Sequence, residues 1–234
     1  MLCVTDCRIP DVCVSELLRL GFELVLLPPL PDLSPPIASH TDLLVLPIGK
    51  TILTHARYAT IAERELSRIA EHGYKIEVCN TTIGDTYPRD VALCACVTDK
   101  YLICNVKHTA PEAITLAQAA GLKLVSVSQG YAKCSCAVLS DGAIITADAG
   151  IYKAICSSGG DALLISAGHI SLPPYQYGFI GGASGLCADT LFFAGSIKTH
   201  PDCRQIVDFC THHKTRVYSL SDDGLFDVGS MIFI

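Results

Sequence analysis

Five short apolar runs punctuate the chain, each after a segment of helical periodicity: FELVLL (22–27), YKIEVC (74–79), LKLVSV (122–127), DALLIS (161–166) and TRVYSL (215–220). Four of them follow glycine directly, at Gly21, Gly73, Gly121 and Gly160, where a helix stops in left-handed backbone that a Cβ would resist. Helix starts share a device as well. Pro10-Asp11, Pro111-Glu112 and Pro201-Asp202 put proline where no N–H is needed and an acid at the positive end of the helix dipole. Thr60 with Glu63 reads as a capping box, while GIYKAICSSGG (150–160) supplies a shorter helix without a proline or acid start.

Ahead of each helix stand two apolar runs joined by a tight polar turn: DLLVLPIGKTILT (42–54), VALCACVTDKYLIC (91–104), AVLSDGAIITA (137–147) and SGLCADTLFFAG (184–195). These predict hairpins, most clearly at Ser140-Asp141-Gly142. The unit is therefore strand, strand, helix, strand, and it occurs four times in order. A fifth copy is split: the chain ends on GSMIFI and begins on MLCVTD, a helix and FELVLL. The predicted units cover 40–80, 86–128, 129–171, 177–221, and 224–234 with 1–30, all in one domain over 1–234. At about 47 residues each they fall in the range of repeats that bury one another's faces. Closing them into a ring would remove exposed sheet edges. A doubly wound parallel sheet would alternate strand and helix without hairpins, which this chain does not do.

Five such units around a pseudo-fivefold axis, the last closed by both termini, resemble the pentein α/β-propeller of the guanidino-group-modifying superfamily, here in a minimal form without large insertions. That superfamily includes arginine and agmatine deiminases, dimethylarginine hydrolases and amidinotransferases, and the same architecture serves a non-catalytic ribosome anti-association factor. YPRDVALC (87–94) is similar to the deiminase Arg-Asp motif, whose aspartate binds the substrate guanidinium. The resemblance carries that role to Asp90, beside Arg89, and a carboxylate suits it because it accepts a planar fork of N–H donors. The bland alternative is that the pair staples a strand end.

The rest of the enzyme pattern is not intact. Superfamily enzymes attack the amidine carbon with a cysteine from the closing blade and move protons with a histidine from the preceding one. Here GLFDVGSMIFI has no cysteine and puts Ser230 near that place, GFIGGASGLCAD has no histidine, and Gln129 before Gly130 stands where blade three would carry an acid. Cys134, next to Lys133 and at the mouth of a hairpin, is the alternative nucleophile, its thiol activated by the ammonium; buried core is the competing reading. Cys134 and Cys136, like Cys94 and Cys96, alternate along a strand and share a face. Such C-x-C pairs are not zinc hooks, so no metal and no cofactor is expected.

Gly181, Gly182 and Ser184 head the fourth hairpin, where glycine backbone could cradle an anion or serve close packing. Asp227 and Ser230 would lie by the axis with Asp90, and Asp148 either joins them or caps a turn. His200, His212 and His213 sit at helix ends, and His55, His108 and His169 at strand or loop ends, so none reads as catalytic. A pocket holding these carboxylates would take a small cationic guanidino or amino compound, bound or hydrolysed through Cys134. The rival function is a non-catalytic interaction protein like the anti-association factor; thiol redox sensing rests on cysteine abundance alone.

Charge narrows the partners. Seventeen basic against 23 acidic residues, net −6, leave no excess to neutralise phosphates, so neither nucleic acid nor an anionic membrane is expected. Thirteen cysteines is an odd number, and MLCVTDCRIPDV lacks the basic and apolar segments of a leader, which predicts a reduced, cytoplasmic protein. No apolar run approaches the roughly 20 residues of a membrane span.

Overall fold

The computed structural model describes residues 1–234. The chain opens with β1 (Leu2–Asp6), α1 (Asp11–Arg19) and β2 (Glu23–Leu27). After a 3-10 turn at Pro35–Ile37 come the one-turn α2 (Thr41–Leu44), β3 (Val45–Ile48), β4 (Thr51–His55), α3 (Ala56–Ile61), α4 (Glu63–Glu71) and β5 (Lys75–Cys79). The next unit holds β6 (Cys96–Val97), β7 (Tyr101–Cys104), α5 (Pro111–Ala119) and β8 (Lys123–Ser126). It is followed by β9 (Cys136–Val138), β10 (Ile144–Thr146), α6 (Ala149–Ser157) and β11 (Ala162–Leu164). A fourth set is β12 (Ser184–Cys187), β13 (Thr190–Phe193), α7 (Cys203–His212) and β14 (Arg216–Ser219), and β15 (Ile232–Phe233) ends the chain.

The strands form five separate three-stranded sheets: β3-β4-β5, β6-β7-β8, β9-β10-β11, β12-β13-β14 and β15-β1-β2. In each, the middle strand runs antiparallel to the first and parallel to the third. The last sheet joins the two chain ends, and Leu2 and Ile234 exchange both backbone hydrogen bonds at 2.9 Å.

Burial follows from this topology. Every middle strand is apolar on both faces because its alternate residues feed different cores. In β7, Leu102 and Cys104 pack with the β3–β4 unit, while Tyr101 and Ile103 pack with the β9–β10 unit. In β1, Leu2 and Val4 enter one cluster and Cys3 the other. There are five such clusters, one at each junction between successive units, including the junction of the last with the first. Each long helix buries one narrow stripe, as with Cys13 and Leu17 of α1, Ile151 and Ile155 of α6, or Ile206 and Cys210 of α7.

Several local expectations change. Helix formation begins at Ala56, directly after β4, so Thr60 lies inside α3 and caps nothing. The left-handed stop after α6 is Gly159 at φ +86°, not Gly160, and after α7 the role falls to Lys214 at φ +53°. The third strands keep open outer edges, contrary to the edge-free ring expected; exposed Glu23, Lys75, Lys123 and Arg216 open four of the five with charge, which opposes edge-to-edge pairing. The first strands are also shorter than their apolar runs. Cys94 N–H bonds Val91 O at 3.0 Å and Ser135 N–H bonds Tyr131 O at 3.0 Å, so Cys94 and Cys134 sit in turns before β6 and β9. No helix is long and apolar enough to cross a membrane.

Candidate functional site

The turns that precede the first strands are hydrogen-bonded to one another across units. Lys133 N–H donates to Cys94 O (3.2 Å), Gly182 N–H to Cys134 O (2.9 Å), Ser230 N–H to Gly182 O (2.7 Å) and Asp42 N–H to Gly229 O (2.9 Å). Side chains from distant parts of the sequence are thereby brought together. Beside them lies a cavity of about 310 Å³ whose wall includes His40, Tyr131, Cys134, Tyr177, Phe179 and Asp227. Tyr131 and Phe179 stack with centroids 6.2 Å apart.

Asp227 is the best-organised polar group there. It is 1% exposed. Its Oδ1 accepts from Gly229 N–H at 2.9 Å and its Oδ2 from Phe179 N–H at 2.8 Å. Burial raises its pKa above the ordinary aspartate range and Asp42 adds to the rise, against the opposing pull of His40 and the two N–H donors. His40 lies between two carboxylates, Nδ1 3.9 Å from Asp227 Oδ1 and Nε2 4.0 Å from Asp6 Oδ2. Asp6 is itself held by Ser39 Oγ at 2.7 Å and by Arg8. Two glycines make this packing feasible. A Cβ on Gly182 would fall 2.0 Å from Asp227 Oδ1, and one on Gly229, at φ +63°, 2.4 Å from His40.

The residues expected at the site are distributed as follows. Asp90, 2% exposed, stands behind the cavity wall, where its Oδ2 accepts from Tyr131 Oη–H; its Oδ1 is buried without a partner. Burial and this bond push the tyrosine pKa up. Arg89 does not join Asp90: its side chain is 67% exposed and pairs with Asp85 at 3.4 Å, because the segment folds back on itself through Gly84 N–H to Arg89 O. Gln129 and Asp148 face a separate cavity of about 130 Å³. There Gln129 Nε2 donates to Asp148 Oδ2 at 3.2 Å while Asp148 Oδ1 accepts from Ile151 N–H at 2.8 Å. Asp148 thus takes the capping role, the second of the two the sequence left open to it, and gives α6 an acid start.

Lys133 does not activate Cys134. Its Nζ donates to Ser230 Oγ at 2.9 Å and to Gly181 O at 3.4 Å, and its charge favours the thiolates of Cys96 and Cys136 instead. Cys134 is pushed well above the ordinary thiol range by burial, by its contact with Cys94, and by the carboxylates of Asp42 and Asp227. Of the two roles left open for Gly181, Gly182 and Ser184, anion cradle or close packing, the contacts favour packing. Gly182 N–H is spent on Cys134 O, Ser184 Oγ donates to Gly181 O at 3.4 Å, and a Cβ on Gly181 would meet the Cys136 carbonyl oxygen at 2.4 Å. Close packing is the reason for these glycines. Ser230, at φ +73°, has its Oγ 2.8 Å from both Asp42 Oδ2 and Gly181 O.

His40, Asp42, Cys94 and Tyr131 were not anticipated from the sequence as members of a site. The signal was present: His40 and Asp42 precede β3 as Cys94 precedes β6 and Cys134 precedes β9, so the repeat itself brings them into register.

No curated protein matches the sequence. Among solved structures, DDAH from Pseudomonas aeruginosa, a cysteine-to-serine mutant complexed with citrulline, is similar with TM-score 0.56 at 11% identity, over 94% of this chain and 91% of its own. SxtG, an amidinotransferase from Microseira wollei in saxitoxin biosynthesis, gives TM-score 0.54 at 12% identity, over 90% of this chain and 73% of its own. The substrate-bound N-terminal domain of ArgZ, an arginine dihydrolase of cyanobacteria, gives 0.53 at 11% identity, over 93% of this chain and 90% of its own. At these identities the likeness is one of fold. A family model described as a family of unknown function (DUF6873) matches residues 4–232. The chain belongs to that family, and its fold is the mixed α/β pentein fold of the guanidino-group-modifying enzymes.

Proposed function

We propose that the protein binds a small guanidino or amino compound in the 310 Å³ cavity, with Asp227 as the carboxylate that receives the cation. The observation that carries this reading is Asp227 itself, a buried carboxylate fixed by two backbone N–H groups at a cavity whose other walls are aromatic. A buried anion needs a partner, and the faces of Tyr131, Tyr177 and Phe179 suit a flat cation. The names of the structural relatives, an amidinotransferase and an arginine dihydrolase among them, support the chemical class. The reading also takes the five units as one ring-shaped domain over 1–234, supported by the five junctional cores and the linked turns.

Binding, rather than turnover, is the proposed activity. Every charged neighbour named for Cys134 opposes its thiolate, so hydrolysis by attack from that sulfur has no support in the resting protein. Calorimetry with arginine, agmatine and guanidine, against citrulline and urea as uncharged controls, tests the reading. Heat should be released with at least one charged ligand and be lost in Asp227→Ala. If no charged ligand binds at millimolar concentration, or if Asp227→Ala binds as well as wild type, the reading is wrong.

A further inference from the structure

We infer that Asp42, Cys94 and Cys134 form a binding site for a thiophilic divalent cation of the zinc class. The three residues come from three different units, and one ligand atom of each lies within 4.8 Å of the other two. All three are buried. The two sulfurs are 3.4 Å apart, close to the roughly 3.8 Å that two Zn–S bonds of about 2.3 Å span in tetrahedral geometry. Their own turns aim them at each other, since Lys133 N–H bonds Cys94 O and fixes the Cys134 turn on the Cys94 turn.

An independent observation points to a missing ligand. Asp42 Oδ2 is held by Ser230 Oγ at 2.8 Å, whereas Asp42 Oδ1 is buried and has no hydrogen-bond partner at all. Buried carboxylate oxygens are ordinarily satisfied, and a cation held with the two sulfurs satisfies this one. The donor set selects the ion: two sulfurs and one carboxylate favour zinc over calcium or magnesium, which take oxygen alone. Charge also closes. Binding breaks two S–H bonds, forms two metal–sulfur bonds and releases two protons to solvent, with no change of oxidation state. The resulting centre carries one negative charge, and the Lys133 ammonium, bonded to the same Ser230 hydroxyl that holds Asp42, lies beside it. A disulfide between Cys94 and Cys134 would need an external oxidant and would leave Asp42 Oδ1 as it is.

The second thiol pair, Cys96 and Cys136, makes the comparison internal. Both of its members are buried in one core cluster, but no carboxylate completes a cluster there. Cys134 alone of the trio lines the 310 Å³ cavity, so an ion would be reached from that side. This goes beyond the guanidino-binding reading and does not rest on it.

The test uses the full chain, reduced and stripped with a chelator, titrated with Co2+ and then Zn2+. Wild type should release two protons per chain in weak buffer as Co2+ binds, and develop near-ultraviolet thiolate-to-cobalt charge transfer and the visible bands of a tetrahedral site, which Zn2+ then discharges without further proton release. Cys94→Ser, Cys134→Ser and Asp42→Asn should lose the signal, and Cys96→Ala should keep it. Ser230→Ala, which frees Asp42 without removing a ligand, should weaken binding about 10–100-fold. Absence of the bands in wild type overturns the inference without recourse to any variant. So does their persistence in Cys94→Ser and Cys134→Ser, which would assign them to other cysteines. Guanidine calorimetry on the same stripped chain reads the other proposal separately.

Discussion

Gly182→Ala tests whether the packing around Asp227 is as tight as its geometry implies. Gly182 has no left-handed φ to protect, so the perturbation is purely one of space. The added methyl would stand 2.0 Å from Asp227 Oδ1, 2.4 Å from its Cγ and 2.6 Å from Oδ2. The carboxylate has little room to retreat, because Gly178 is also packed close to Asp227: a Cβ there would fall 2.5 Å from Asp227 Cβ. Either the side chain rotates and gives up its bonds from Phe179 and Gly229, worth about 1.5–3 kcal/mol each for a charged acceptor, or the backbone shifts at an overpacking cost of about 1–3 kcal/mol. Taking about 3 kcal/mol, the Tm should fall by about 6–12 °C for a chain of this size. Differential scanning calorimetry measures it, with Gly224→Ala as control, since nothing lies within 4 Å of that position and its cost should stay within about 0.5 kcal/mol. In an Asp227→Ala background the same methyl should cost far less, because the two sites share one contact. A Gly182→Ala protein melting within about 2 °C of wild type would refute the packing argument.

Four further outcomes are expected. Guanidino binding requires ionised Asp227, whose pKa is raised; affinity should therefore rise with pH through a value above the ordinary carboxylate range of about 3.9, and calorimetry across pH should show this acid limb vanish in Asp227→Ala. In the ligand-free protein the sign reverses, because a raised carboxylate pKa favours folding most when the group is protonated; this group's share of stability is full below its unfolded pKa and is lost as pH rises through the folded one, readable as a pH-dependent difference between wild type and Asp227→Ala in urea melts. Iodoacetamide at neutral pH should label exposed Cys7 and Cys156 first and Cys134 far more slowly, as mass spectrometry of the native protein would report; preferential labelling of Cys134 would restore it as a nucleophile. Asp148→Ala removes the α6 cap and should cost about 1 kcal/mol, a Tm loss of about 2–4 °C by thermal circular dichroism.

Much of the architecture was legible because its causes are local. The apolar runs, the proline–acid helix starts and the glycine stops each act over a few residues, and their recurrence assigned five units and the pairing of both chain ends without any tertiary knowledge. The errors were local too. Thr60 failed as a cap because the helix began one turn earlier, and Cys94 and Cys134 left their strands because the backbone ahead of β6 and β9 spends its hydrogen bonds on turns.

The candidate site divides the same way. Asp227, Cys134 and Asp90 were named from the sequence, and the first two line one cavity with Asp90 behind Tyr131. Arg89 pointed away, Lys133 chose Ser230 over Cys134, and His40 and Asp42 entered unannounced.

By itself the sequence determined the repeat, the strand–strand–helix–strand order and the apolar faces, since periodicity and backbone conformation depend on neighbours along the chain. Only the tertiary structure decided which side chains meet: Asp42 with Ser230, Cys94 with Cys134, His40 between Asp6 and Asp227. Those contacts join units far apart in sequence, and the burial that sets their charges exists only once all five units have packed.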